Sequence, residues 1–119
     1  DHRDLHSFPT RRSSDLIYHA MSEKVSVDAT LKRIAEQPGV HGIIVINGEG
    51  AILRSNLDNA TTEIMAMQCR NLAEIATGAV RDLDPRDGMT ILRVRSKKNE
   101  LIIAPYQECM LIVVQNNLE

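Results

Sequence analysis

Four consecutive branched residues, Ile43-Ile44-Val45-Ile46, constrain this chain more than any other feature. Side chains alternate between the two faces of a strand, so an unbroken apolar run needs cover on both sides. A second run, Leu111 to Val114, makes the same demand. Two such strands belong in the middle of a sheet with helices above and below. At 119 residues there is room for one such domain.

The flanking pattern supplies the helices. Ser22 to Glu36 reads as helical, with Val27, Leu31, Ile34 and Ala35 on one face, an Asp28–Lys32 pair one turn apart, and Pro38-Gly39 as the stop. Val40 to Asn47 is the first strand. Asn47-Gly48-Glu49-Gly50 tolerates the positive φ of a hairpin turn, and Ala51 to Asn56 returns as a more polar strand near an edge. Asp58-Asn59 offers an N-cap, with Glu63 in the first turn of a helix running to about Asp82. Three strands follow, Met89 to Arg95, Glu100 to Ala104 and Cys109 to Gln115, with turns at residues 96–99 and 105–108. The order α-β-β-α-β-β-β predicts an α+β fold, an antiparallel sheet flanked by helices.

Asp1 to Leu16 is unlike the rest, with three Arg, two His, three Ser and no apolar periodicity. Its aspartates count against a transit peptide. Reverse translation gives, in frame, a string that looks like a common DNA-sequencing adapter. The expectation is a non-native, disordered leader over 1–20 and a domain over 21–119. The sixteen residues carry three Arg and three Asp, so the net charge stays at −2 without them.

That charge argues against a nucleic-acid binder driven by overall basicity. Aromatics are 3% of the chain, too few for base-stacking platforms. The longest purely apolar run, Met110 to Val114, is too short for a membrane span, so no membrane insertion is expected. Cys69 and Cys109 lie outside any CxxC and read as two reduced buried thiols of a cytosolic protein. Asn47-Gly48-Glu49-Gly50 lacks a third glycine and leads into a strand, where a phosphate loop needs a helix N-terminus. Asp82, Asp84 and Asp87 run into a strand without the twelfth-position carboxylate of a calcium loop. His41 has no sequence-adjacent catalytic partner. The expectation is no catalytic residue, no metal and no cofactor.

Two features remain, and both point to binding. On a wheel of the long helix, Met65, Cys69, Leu72, Ala73, Ile75, Ala76, Ala79, Val80 and Leu83 fill an arc of about 160°, wider than the roughly 100° that one sheet covers. Either the other helix of the chain or a second subunit buries the surplus. The second feature is the basic ribbon Arg93, Arg95, Lys97, Lys98, with Leu92 and Val94 pointing the other way. It is either a solvated face that guards a strand edge or a surface for an acidic partner.

LKRI (31–34), GVHGIIVINGEG (39–50), LDNATT (57–62), VRDLDPRDGMTILRVRSKKNELIIAP (80–105) and LIVVQN (111–116) together resemble the roadblock-type light chains of cytoplasmic dynein. The similarity spans nearly all of Met21 to Glu119. Ala60 departs from an expected Pro, and Asn117-Leu118 from Pro-Thr. The resemblance implies a roadblock fold, a five-stranded antiparallel sheet between helices. It also implies a homodimer joined through the long helix and the third-strand edge. The interface would draw on Met65, Cys69, Leu72, Ala73, Ala76, Ala79, Thr90, Leu92 and Val94. Arg93, Arg95, Lys97 and Lys98 would contact the partner, implied to be the dynein intermediate chain. The protein would then be a non-catalytic adaptor in the cytoplasm, brought to microtubules through dynein. The alternative is a roadblock scaffold of a small-GTPase regulatory complex, and a third reading is an enzyme whose site is assembled across the dimer.

Overall fold

The computed structural model describes residues 27–106 and 108–116. Its elements are α1 (Val27–Ala35), β1 (Val40–Asn47), β2 (Ile52–Ser55), α2 (Asn59–Leu83), β3 (Leu92–Arg95), β4 (Asn99–Tyr106) and β5 (Cys109–Asn116). The expected leader, the expected helical residues before Val27 and the departure at Asn117-Leu118 lie outside the described residues.

All five strands join one antiparallel sheet in the order β2-β1-β5-β4-β3. β5 is the middle strand and β1 its neighbour, as their two-sided apolar runs require. The alternation divides the core in two. Ile43, Ile102, Ala104 and Val113 meet Leu31 and Ile34 of α1, whereas Ile44, Ile46, Ile103 and Ile112 meet Ala66, Cys69 and Ala73 of α2. Sequence neighbours such as Ile43 and Ile44 therefore serve opposite clusters, and the two helices cover opposite faces of the sheet. Each buried Ile contributes roughly 1.5–3 kcal/mol relative to an exposed one.

Local chemistry sets the boundaries. Asp58 is extended (φ −66, ψ 161) and accepts a hydrogen bond from the Thr61 amide at 3.0 Å, which starts α2. The first turn carries no acidic residue, since Glu63 lies just beyond it. At the other end Asp84 precedes Pro85, which disfavours the helical region, and Asp84 turns extended at φ −151. In the β1–β2 hairpin the Asn47 side chain accepts from the Glu49 and Ala51 amides, both at 2.9 Å, and Gly50 takes φ 90. Gly42 lies directly under Leu57, whose side chain would come within 2.6 Å of any added Cβ.

The last strands differ from expectation at their ends. β3 begins at Leu92 and not Met89. Continuing the β3–β4 register past Leu92–Ile103 would set Thr90 against Pro105, which has no amide to donate to the ladder. β4 in turn runs on through Pro105 and Tyr106, because β5 still pairs with it there (Pro105–Met110, Tyr106–Cys109). Pro105 and Tyr106, expected in a turn at 105–108, thus belong to the strand.

Candidate functional site

α2 covers the sheet with a narrow stripe: Thr62, Ala66, Cys69 and Ala73 are its buried residues. Thr62 can be buried because its hydroxyl meets that of Ser55 at 2.7 Å. Met65 packs on the margin of the same cluster, as Leu92, Met89 and Leu101 also do. Beyond it the helix stays apolar and open to solvent. Ile75 is 71% exposed, Ile64 60%, Leu83 90% and Leu72 37%. α1 lies across the sheet, so it does not cover this face.

The nine residues expected to form a self-association surface are thus divided. Cys69 and Ala73 (1% and 4% exposed) lie under the helix against its own sheet. Met65 and Leu92 pack at the margin of that core. Leu72 and Ala79 are exposed and Ala76 is half-buried. Thr90 lies exposed before β3, while Val94, 37% exposed, stands on the edge strand facing the α2 side. Two exposed apolar residues of this helix, Ile64 and Met67, escaped the sequence reading. A wheel measures the width of an apolar arc but not which part of it the sheet takes; the only hint was that Ile64 and Ile75 fall about 20° apart at 100° per residue.

The basic ribbon is divided too. Arg93 and Arg95 lie on the α1 side of β3, on the same face as Glu100 of β4. Glu100 is 3% exposed. It accepts from Arg93 Nε at 2.8 Å and from Gln115 Nε2 at 3.2 Å, with Arg95 Nη2 at 3.7 Å. Burial works to raise the Glu100 pKa, but the bond and charge of Arg93, the Gln115 bond and the Arg95 charge outweigh it and hold the carboxyl below its ordinary value. Both arginines therefore serve the chain's own buried carboxylate. Lys97 and Lys98 stand exposed in the turn that follows.

Other candidates are occupied locally. The Cys69 thiol is pushed up to about 11 by burial and is a poor nucleophile. His41 Nε2 meets Asn116 Oδ1. In the hairpin the Gly50 amide bonds Asn47 O at 3.0 Å, and Arg70 of α2 donates to Gly48 O and Glu49 O, both at 3.3 Å. Asp84 Oδ1 accepts from the Arg86 amide at 3.1 Å. Among the described residues no group of three His, Cys, Asp or Glu could hold a metal, and no helix is long and apolar enough to cross a membrane.

The Roadblock/LC7 domain profile matches residues 26–116, helix through last strand. The chain belongs to the roadblock family. Solved roadblock structures share the fold: the Roadblock/LC7 domain from Streptomyces avermitilis superposes with a TM-score of 0.64 at 14% identity over 68% of this chain and 69% of that one. MglB from Myxococcus xanthus gives 0.55 at 16% identity over 66% and 65%, and the gliding protein MglB from Thermus thermophilus gives 0.61 at 14% identity over 91% and 73%. Leu92 of β3 and Met65 of α2 both pack against the core cluster on the α2 side of the sheet.

Proposed function

We propose that this roadblock chain is a non-catalytic docking module that works as a homodimer, joined along α2 and the β3 edge. The observation that carries this is the exposed apolar band Ile64, Leu72, Ile75, Leu83, beside an edge strand whose Leu92 and Val94 face the same side. An apolar band on the same side as an edge strand marks an association surface. A solved MglB with a tetrameric arrangement, 14% identical, accords with self-association. The test is Ile75→Glu with Leu72→Glu. Both positions are open to solvent, so the fold should survive by circular dichroism while light scattering shows a monomer. A double variant that stays dimeric, or a wild-type chain that is monomeric at high concentration, would remove the reading.

Two partner classes have different support. The reading as a scaffold of a small-GTPase regulatory complex accords with the MglB neighbours, which share this fold at 14–16% identity. The dynein light-chain reading, with the intermediate chain as partner and a cytoplasmic, microtubule-linked location, rests on the resemblance carried by Arg93 to Glu100 and the segments around it. Capture from cell lysate with mass spectrometry separates them. Recovery of a small GTPase or its regulators favours the first, and recovery of dynein chains the second.

A further inference from the structure

On the α1 side of the sheet, the β3 edge is lined by Arg93 and Arg95. Suppose two copies continue one sheet through this edge with both α2 helices on the same side, as the dimer reading requires. Their twofold axis then stands perpendicular to the sheet, and directly opposed residues of an antiparallel pair share a face. Odd-numbered positions of one copy can oppose only odd-numbered positions of the other. With the axis at Arg93, Arg93 meets its own counterpart. At Val94 each Arg93 meets an Arg95, and at Arg95 the two Arg95 side chains meet. These three registers set guanidinium against guanidinium, whereas an axis at Leu92 sets Arg93 against Ile91, and like charges directly opposite one another oppose pairing.

We infer that Glu100 is the charge compensator that lets this edge self-associate. It sits one strand in, buried, with Arg93 at 2.8 Å and Arg95 at 3.7 Å on the same face. Among the described residues, Glu100 of each copy would face the Arg93 and Arg95 of that copy at the joined edge. Gln115 completes the cradle and fixes the carboxylate beneath the arginines, not out in solvent. The buried position matters, because a compensator on the edge itself would crowd the pairing surface. The same arrangement assigns Arg93 and Arg95 to the edge's charge balance, leaving Lys97 and Lys98 as the part of the ribbon turned wholly outward.

This inference rests on the homodimer reading, and the test separates the two. The dimer dissociation constant is measured by dilution in light scattering, at about 0.01 M and about 1 M salt, where the Debye length falls from about 30 Å to about 3 Å. Glu100→Gln should weaken the dimer about tenfold at low salt and by much less at high salt. Adding Arg93→Gln to it should recover most of the low-salt loss. Arg95→Gln alone, which keeps Glu100, should tighten the low-salt dimer and serves if Glu100→Gln fails to fold. A Glu100→Gln loss that neither salt nor Arg93→Gln relieves, no loss at all, or no tightening in Arg95→Gln would overturn the inference. A wild-type chain that never dimerises overturns the homodimer reading itself.

Discussion

Gly42 shows how one residue can couple two elements. Leu57, between β2 and α2, lies across the bare Cα of this β1 glycine, 2.6 Å from where a Cβ would stand. Gly42→Ala should therefore cost about 1–3 kcal/mol, as overpacking does, read as a lowered denaturation midpoint with unchanged slope. Glu100 carries a second prediction. Its folded pKa lies below its ordinary value, so its stabilisation is present above that ordinary value and is lost as pH falls through the folded pKa. Glu100→Gln should flatten the acid limb of the stability curve in urea melts from about pH 5 downward. A variant whose acid limb matches the wild type would show that other carboxylates set it. Neither role was legible in the sequence. Glycine in a strand has many causes, and the pairing of Glu100 with the arginines needs the β3–β4 register to bring them together.

The elements themselves were largely legible, for reasons visible residue by residue. Ile43 to Ile46 suits a strand covered on both faces, and Asp58 followed by a long apolar periodicity offers the start of a helix. What failed were ends decided by a neighbour. β3 begins only at Leu92 because the continued register would meet Pro105, thirteen residues beyond Leu92, which no local pattern announces. The wheel of α2 likewise gave a broad apolar arc. It placed Cys69 and Ala73 with the exposed residues, since nothing in the sequence says which part of the arc the sheet takes. One cross-element tie was also beyond its reach. Arg70 holds the β1–β2 hairpin to α2 through Gly48 O and Glu49 O. Arg70→Met should cost up to about 1 kcal/mol, the scale of ordinary hydrogen bonds, and raise hydrogen exchange at residues 47–51. Unchanged exchange there would show that the Asn47 side chain holds the turn by itself.

At the scale of the molecule, the three layers are unequal. α1 offers nine described residues to one face, and α2 lays twenty-five along the other, reaching Leu83, 90% exposed at its far end. The sheet is equally lopsided at its margins. β3 is regular and continues the α2-side apolar surface through Leu92 and Val94. β2, equally short, is exposed along its whole length, and its pairing with β1 shifts register between Val45 and Ile46. Such an irregularity twists a strand and spoils it as a template for another chain. If one margin invites a copy of itself and the other repels any strand, growth has an arithmetic limit. Two chains joined through β3 would each present only the bulged strand outward, and a third would find nothing to extend. The slipped register of one edge strand would thus act as a counter that stops at two, favouring a closed pair over a fibre.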